Sequence, residues 1–388
     1  MTAGFDRRSL LAGSLIGAGS LALPRLAFAQ ATGSRNLLFV LLRGAADGMA
    51  MLAPVGDPGF AALRGAALAD YDSAPRIGSF FAVHPALAEI AKLAAAGEAL
   101  FVHAAATAYR ARSHFDGQNL LESGGTAPYA TKDGWLNRLV GLMNERAPAP
   151  LRALAIASAV PLALRGEAPV SNYAPSALPQ ASEDLLARVS LLYGADSELG
   201  PLWARALETR AMAADDGLTN LRDASAAGEL AASLMRGAGG ARFGMIELGG
   251  WDTHANQRGA FARSARQLDA LLAAYRTGMD AAWADTMVVV ATEFGRTARL
   301  NGTGGTDHGT ASAALVMGGA VRGGRVIADW PGLADGQLYE GRDLAPTIAL
   351  ESVIAGAVAE HLRLDPTLAM ARLFPGRSAA PLAGIINA

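Results

Sequence analysis

The chain has 388 residues, of which 51% are hydrophobic and 18% are charged, and its formal charge is −2. This length can bury a large core, either as one large domain or as two small ones. Lys92 and Lys132 are the only lysines and the basic residues form no run, so nucleic-acid binding finds no support. The absence of cysteine excludes disulfides, thiol nucleophiles and thiolate metal sites, so a metal would need carboxylate, imidazole, amide or hydroxyl ligands.

The first residues read as an export signal rather than as part of the fold. Arg7 and Arg8 precede a short, weakly apolar run and the small-x-small site Ala27-Phe-Ala. The pattern resembles the bacterial twin-arginine signal, and the alternative is a chance arginine pair before a buried helix. We expect residues 1–29 to engage the twin-arginine export machinery. No second apolar segment is long enough to span a bilayer, so we expect a mature chain in the periplasm or outside the cell, without an integral membrane segment.

A first buried strand is predicted at Asn36 to Leu42, a continuous apolar run typical of a central parallel strand. The run ends in Arg43-Gly-Ala-Ala-Asp47-Gly. A strand that delivers an Asp into a Gly-flanked turn is a common way to present a metal ligand. The alternative is that Asp47 only caps the next turn.

A helix and a second buried strand are predicted next. Pro85 follows His84 at the start of an apolar pattern with helical spacing, which stops at Gly97. The run Ala99 to His103 has the length and composition of a buried strand. We expect both histidines to be structural or to support other side chains rather than to bind a metal.

Ser113 stands at the predicted start of a helix that runs through Glu122. It can cap this helix together with Asp116, three residues on, in the manner of a capping box. It can also be a nucleophile, because the helix N-terminus steadies an anion and Arg110 and Arg112 lie beside it. The two interpretations are compatible.

Residues from about 145 to 242 are rich in Ala, Leu, Arg and Glu and read largely as helices, so we interpret them as a helical insertion or cap. A third strand follows and ends in Asp252 and His254. Residues two apart on an extended segment point the same way, so both could hold one ion. The alternative is that Asp252 caps a helix.

The stretch from Trp283 to Ala320 is the most informative part of the chain. The runs Met287 to Ala291 and Ala314 to Met317 read as buried strands. The loop between them is rich in Gly, Thr and Asn and also holds Glu293, Arg296, Asp307 and His308. A carboxylate at the carboxyl end of a buried strand is where open α/β sheets build sites, so this loop predicts half of a metal or anion site. Residues 341–347, by contrast, read as a surface or edge element.

The sequence contains no P-loop, no G-x-S-x-G and no H-E-x-x-H motif. These absences weaken interpretations as an NTPase, a lipase-type hydrolase or a zinc protease of the zincin type.

Five motifs resemble those of the exported family called domain of unknown function 1501, in the alkaline-phosphatase/sulfatase superfamily. They are Leu42-Arg-Gly-Ala-Ala-Asp-Gly, Arg112-Ser-His-Phe-Asp-Gly-Gln, Gly249-Gly-Trp-Asp-Thr-His, Thr292-Glu-Phe-Gly-Arg-Thr and Gly305-Thr-Asp-His-Gly-Thr-Ala. The resemblance implies an alkaline-phosphatase-like three-layer α/β/α sandwich with a mostly parallel central sheet and a helical insertion, occupying residues 30–388. It implies only a weakly defined activity.

The resemblance also implies roles for individual residues. Asp47 and Glu293 would share one cation with the Ser113 hydroxyl, and Asp252 and His308 would hold another. Arg112 or Arg296 would clamp the non-bridging ester oxygens. The candidate metal ligands are Asp47, Asp252, His254, Glu293, Asp307 and His308. The candidate catalytic residues are Ser113, Arg112, Arg296 and His114.

Two departures from the family of bimetal phosphatases leave the number of cations open at one or two. In those enzymes the strand-end acid is usually Asp followed by His, whereas here Glu293 is followed by Phe294, which cannot bind a metal. Their earlier Asp and His are usually four apart, whereas Asp252 and His254 are two apart. The ligand types suit Zn²⁺, Mg²⁺, Mn²⁺ or Ca²⁺.

Three functions remain in competition. The leading hypothesis is an exported, metal-dependent hydrolase of a phosphate or sulfate ester, small-molecule or glycan, with Ser113 as nucleophile. The second is a catalytically degenerate protein that binds a glycan or a partner protein at the cell envelope. The third is a metal-dependent hydrolase that uses activated water, with Ser113 only capping its helix.

Overall fold

The computed structural model describes residues 35–387, except for 148, 150, 176–180, 214–220 and 238. The predicted export signal lies outside these described residues. Within them, no helix is both long and apolar enough to cross a membrane.

The β-strands of the described chain are mostly short. They are β1 (Asn36–Leu42), β2 (Leu52–Ala53), β3 (Arg76–Ile77), β4 (Phe81–Val83), β5 (Ala99–Ala106), β6 (Ala153–Ile156), β7 (Ser171–Tyr173), β8 (Phe243–Leu248), β9 (Thr286–Thr292), β10 (Ser312–Gly318), β11 (Arg325–Ile327) and β12 (Ile348–Ala349).

Nine of these strands form one sheet in the order β11-β5-β10-β9-β1-β8-β6-β7, with β12 also paired to β5. Neighbouring strands are parallel except around β10, which runs antiparallel to both β5 and β9. The other three strands form a small antiparallel sheet in the order β2-β4-β3. The predicted mostly parallel central sheet is confirmed.

The α-helices of the described chain lie between and after these strands. They are α1 (Gly48–Met51), α2 (Pro58–Arg64), α3 (Ala88–Ala95), α4 (His114–Ser123), α5 (Trp135–Asn144), α6 (Glu183–Tyr193), α7 (Leu199–Ala213), α8 (Ala224–Met235), α9 (Gln257–Met279), α10 (Leu350–Leu362) and α11 (Pro366–Leu373). Short 3₁₀ turns occur at Gly65–Tyr71, Leu162–Leu164, Asp280–Asp285 and Asp335–Gln337.

The central strand β1 shows why the fold has three layers. All seven of its residues are buried, and successive side chains point to opposite faces of the sheet. Leu38 and Val40 join the core that contains α3, α8 and α9, whereas Leu37 and Phe39 join the core that contains α5, α10 and α11. The apolar run therefore supplies two cores at once, and the predicted α/β/α sandwich is confirmed.

The strand directions gather the loops of interest at one edge of the sheet. The parallel strands β1, β8 and β9 end there, and so does β5, which is antiparallel to β10. Because β10 runs the other way, the loop that precedes its first residue arrives at the same edge. The segments that follow β1, β5, β8 and β9 therefore meet the segment before β10.

The structure adds two short strands to residues 145–242, which the sequence predicts to be largely helical. Strands β6 and β7 fall in this range and extend the central sheet beside β8. The Ala-Leu-Ala-Ile sequence of β6 favours a helix locally, but pairing with β8 overrides this weak preference. Helices α6, α7 and α8 make up the helical part, and its role as an insertion stays a proposal.

Two histidines are enclosed by the core. The Nε2 atom of His103 lies 3.0 Å from the carbonyl oxygen of Leu52, and the amide of Ala104 donates to its Nδ1. The Nε2 atom of His361 lies 2.9 Å from the carbonyl oxygen of Asn36. Burial lowers the pKa of each of these imidazoles to about 4. Both are structural, as expected for His103.

These buried imidazoles predict a loss of stability in mild acid. Between about pH 6.5 and pH 4 the unfolded chain binds protons that the folded chain does not, so the free energy of unfolding falls as pH falls through this window. Each histidine should contribute about 1–2 kcal/mol of loss between pH 6.5 and 5. Urea unfolding at both pH values should show a smaller loss for His103→Gln than for the wild type. Equal losses would contradict the prediction.

Candidate metal centre

Three histidines and one aspartate converge at the edge where the strands end. The Nε2 atom of His308 lies 2.9 Å from Nε2 of His114 and 3.0 Å from Nε2 of His254. Asp252 Oδ1 lies 3.2 Å from His308 Nε2 and 3.0 Å from His254 Nε2. Its Oδ2 lies 3.4 Å from His114 Nε2. We call His114, Asp252, His254 and His308 the imidazole cluster.

Within the imidazole cluster, His114, Asp252 and His308 form the tightest group. Their ligand atoms all lie within 4.8 Å of one another, which suits a single metal ion. His254 contacts two of these three residues. The side chain of Asp252 is 44% exposed, so the cluster is open to solvent on one side.

Each ring of the imidazole cluster is oriented by a hydrogen bond at its other nitrogen. His114 Nδ1 lies 2.8 Å from Glu293 Oε1, and His254 Nδ1 lies 3.1 Å from Asp307 Oδ1. His308 Nδ1 lies 2.9 Å from the carbonyl oxygen of Arg112. Because these oxygens accept hydrogen bonds, each Nδ1 donates to one of them, and the Nε2 atoms of the three rings are turned toward one another.

The two orienting carboxylates are held ionised. Burial alone would raise the pKa of Glu293, but hydrogen bonds from His114 and Gln118 outweigh it and lower that pKa. Hydrogen bonds from Asn301 and His254 lower the pKa of Asp307. Ionised carboxylates at these positions are strong acceptors, which fixes the tautomer of each ring.

The chemistry of this donor set fits a divalent cation. Three unprotonated nitrogens at these separations repel one another, and the hydrogen bond to Glu293 raises the pKa of His114, so one ring gains a proton readily when no cation is bound. In a tetrahedral zinc site with Zn–N bonds of about 2.0–2.1 Å, neighbouring nitrogens are roughly 3.3 Å apart. The adjacent pairs seen here would need to separate by only a few tenths of an ångström.

Arg296 holds Asp252 in place. Its Nη1 donates to Asp252 Oδ1 at 2.6 Å, and its Nε and Nη2 donate to the hydroxyl and carbonyl of Thr306. Burial would raise the pKa of Asp252, but the hydrogen bond and charge of Arg296 outweigh it and lower that pKa. These contacts use three of the five N–H groups of a buried guanidinium, and a clamp role for Arg296 stays a prediction.

Asp47 lies outside the imidazole cluster. It caps α1 by accepting from the amide of Ala50, and it forms a buried ion pair with Arg64, with 2.6 Å between Oδ2 and Nη1. Gln257 also donates to Oδ2 at 2.6 Å. Breaking such a pair costs about 3–5 kcal/mol because one charge stays buried and alone. The cap is confirmed, and the oxygens of Asp47 also accept hydrogen bonds from Arg64 and Gln257. A ligand role for Asp47 stays a prediction.

Glu293 and Asp307 stand behind the imidazoles as their acceptors. Glu293 is fully buried, and its Oε1 also accepts from the amide of Gly44 and from Gln118 Nε2. Asn301 donates to Asp307 Oδ1 at 3.1 Å. The sequence predicted both carboxylates as ligands. In the structure they contact Nδ1 of His114 and of His254, and a ligand role stays a prediction.

Ser113 is the residue before α4, but its hydroxyl accepts no hydrogen bond that caps this helix. Its amide donates to the hydroxyl of Tyr109, and Asp116 accepts from the same hydroxyl instead of completing a capping box. In the part of the chain that the structure describes, no hydrogen bond joins the Ser113 hydroxyl to the imidazole cluster. The role of Ser113 as a nucleophile stays a prediction.

The guanidinium of Arg112 points away from the imidazole cluster. Its Nη2 donates to Asp343 Oδ2 at 2.8 Å and to Glu340 Oε2 at 2.6 Å. These two carboxylates engage the guanidinium, and a clamp role for this side chain stays a prediction. The backbone of Arg112 contributes to the site through the carbonyl that His308 contacts.

Two local features let the loops approach closely enough to build the cluster. A Cβ at Gly305 would lie 2.0 Å from the carbonyl oxygen of His254, so only glycine permits this contact. Phe294 stacks against the ring of His114, with 5.0 Å between centroids. Phe294, which cannot bind a metal, therefore supports the ring of His114, which can.

The role of Glu293 predicts an effect on metal affinity. Glu293→Gln keeps the size of the side chain but removes the charge that orients His114, so zinc affinity should fall by about 10–100-fold. Competition with a chromogenic chelator measures this change. Asp269→Asn is the matched control, because Asp269 is also buried but accepts from the amides of Glu89 and Ile90. Equal affinity in wild type and Glu293→Gln would refute this role.

Comparison with known proteins supplies a family but no activity. No curated protein matches the chain. A solved structure described as the crystal structure of phosphonate monoester hydrolase of Agrobacterium radiobacter is 12% identical, with a TM-score of 0.34, over 85% of this chain and 74% of that one. The family model described as protein of unknown function (DUF1501) matches residues 104–369, which is more than half of the chain. The chain therefore belongs to the DUF1501 family.

Proposed function

We propose that this protein is a metal-dependent hydrolase that holds one divalent cation in the imidazole cluster. The observation that carries the proposal is the convergence of three Nε2 atoms, each on a ring whose Nδ1 is already hydrogen-bonded, beside the carboxylate of Asp252. His114, Asp252 and His308 are the first ligands, and His254 is the adjacent fourth.

The donor set favours zinc or another transition metal over magnesium and calcium. Mg²⁺ and Ca²⁺ prefer shells of oxygen, whereas imidazole nitrogen suits Zn²⁺ and its neighbours. Three of the four proposed ligands are imidazoles. The family resemblance assigns Asp47 to a second cation, but Asp47 is paired with Arg64. We therefore propose one cation instead of two.

The proposed nucleophile is water rather than Ser113. A divalent cation in this position would act as a Lewis acid and activate water at neutral pH. The chain supplies the geometry: Glu293 and Asp307 fix two rings, Arg296 fixes Asp252, and the open side of the cluster admits solvent and substrate.

For the substrate we propose a phosphate or sulfate ester, small-molecule or glycan, on the family resemblance. Arg112 and Arg296 are both paired with carboxylates, so binding of anionic ester oxygens would fall to the cation itself. The alternative, a degenerate protein that binds an envelope glycan or partner protein, predicts partner binding that does not depend on the cation.

The proposal predicts about one equivalent of metal in the purified wild-type protein and its loss in Asp252→Ala/His308→Ala. Ser113→Ala should keep both the metal and the ester hydrolysis. Asp47→Asn should lower the unfolding temperature but keep the metal. Elemental analysis and a screen of phosphate and sulfate esters measure these outcomes.

Two results would contradict the proposal. Loss of hydrolysis in Ser113→Ala with intact metal content would restore Ser113 as the nucleophile. A wild-type protein without metal would favour the binding-protein alternative.

We also propose that the protein is exported by the twin-arginine pathway. The support is the leader sequence, in which Arg7 and Arg8 precede a short apolar run. Cell fractionation should find the wild-type protein in the periplasm or medium and Arg7→Lys/Arg8→Lys in the cytoplasm. Export of the double variant at the wild-type level would reject this prediction.

A further inference from the structure

A buried carboxylate lies behind His308, in the segment that the sequence suggested to be surface or edge structure. Asp343 is fully buried, and its Oδ2 accepts from the hydroxyl of Thr310 at 2.8 Å. The same oxygen accepts from Nε and Nη2 of Arg112, at 3.0 and 2.8 Å. Its Oδ1 accepts from Nε of Arg342 at 2.9 Å. A carboxylate with this many donors is firmly placed.

The main-chain conformation of Arg112 needs support of this kind. Its φ is +60°, in the left-handed region that residues with a Cβ seldom adopt. In this conformation its carbonyl oxygen lies 2.9 Å from Nδ1 of His308. Such conformations persist where the surroundings over-determine them, and the Asp343 carboxylate holds the Arg112 side chain by two donors.

The contacts of Asp343 reach both segments that this hydrogen bond joins. Arg112 provides the acceptor, and Thr310 lies two residues after the donor, His308. Oδ2 of Asp343 therefore links the segment of Arg112 to the segment of His308. These two segments must meet for the hydrogen bond at Nδ1 of His308 to form. The backbone of Asp343 also pairs with Thr297, on the loop that carries Arg296.

We propose that Asp343 is a positioning residue for His308, acting through the main chain of Arg112. It fixes the Nδ1-protonated tautomer of His308 and so presents the Nε2 lone pair to the imidazole cluster. The functional consequence rests on the proposed metal-dependent activity, but the effect on the tautomer belongs to the metal-free protein as well.

Glu340 supplies a matched control. It also accepts from Nη2 of Arg112, at 2.6 Å, but its side chain is 55% exposed and makes no contact with Thr310 in the described structure. An exposed ion pair of this kind contributes little. If Asp343 acts by placing the Arg112 main chain, removing Glu340 should have a small effect.

The experiment compares Asp343→Ala, Asp343→Asn and Glu340→Gln with the wild type. The ¹⁵N chemical shifts of the histidine rings report the His308 tautomer in metal-free protein, and chelator competition reports zinc affinity. We expect Asp343→Ala to lose the fixed tautomer and to bind zinc about 10–100-fold more weakly. Glu340→Gln should keep both, and Asp343→Asn should fall between. Circular dichroism checks that each variant folds, and Asp343→Asn carries the test if Asp343→Ala does not.

A double variant tests whether Asp343 acts through the main chain of Arg112. Glycine adopts a φ of +60° without steric cost and keeps the carbonyl that His308 needs. If Asp343 acts only by holding Arg112, removing both side chains should weaken zinc binding no further than removing Asp343 alone. We therefore expect Arg112→Gly/Asp343→Ala to bind zinc no more weakly than Asp343→Ala. If the second substitution lowers zinc affinity further, so that the two losses multiply, the proposed action of Asp343 through Arg112 is overturned.

A wild-type tautomer and wild-type zinc affinity in folded Asp343→Ala or Asp343→Asn would overturn the proposal. Its failure is distinguishable from failure of the proposed function. If the wild type binds no zinc, yet only the Asp343 variants change the His308 tautomer, the positioning role stands and the metal-dependent function does not.

Discussion

The hydrogen bonds at Nδ1 of His114, His254 and His308 are the interaction on which the candidate site depends. An imidazole has two nitrogens, and whichever one donates to an oxygen leaves the other as a lone pair. Three rings whose Nδ1 atoms all face acceptors are therefore forced to bring three lone pairs together. The acceptors differ in kind: a buried carboxylate, an exposed carboxylate and a main-chain carbonyl. The proposed binding of a cation follows from this shared orientation.

The sheet provides the framework for that orientation. Parallel strands bring their carboxyl ends to one edge, which is why open α/β sheets place sites there. The reversed strand β10 adds a loop from the opposite direction, and this loop contributes His308. His114 arrives from the first turn of α4, after β5. Residues far apart in the chain thus become neighbours through strand direction alone.

Two buried carboxylates near this edge show how the partner decides the role. Asp47 faces a guanidinium, and the two opposite charges satisfy each other inside the core. Glu293 accepts a hydrogen bond from the imidazole of His114, and its negative charge raises the basicity of Nε2 on that ring. Both residues follow strands that are adjacent and parallel. The family resemblance treats them alike as ligands, and only their neighbours separate them.

The sequence by itself determined the buried strands, the class of fold and the loops that carry the site. The reason is that apolar runs and glycine-rich turns express local physics, as the alternate burial along β1 shows. It also selected Asp252, His254 and His308, because a carboxylate and imidazoles after buried strands have few other uses.

Only the tertiary structure decided which polar side chains face one another. The role of Arg64, which neutralises Asp47, could not be predicted from the sequence, because no local pattern identifies a helical arginine as a buried ion-pair partner. Asp343 lies in a segment of turn-like composition, yet it is fully buried between loops that are distant in the chain. Strand β6 could not be predicted from the sequence, because its residues favour a helix and only pairing with β8 overrides that preference. Hydrogen-bond partners, unlike periodicity, are set by contacts across the whole chain.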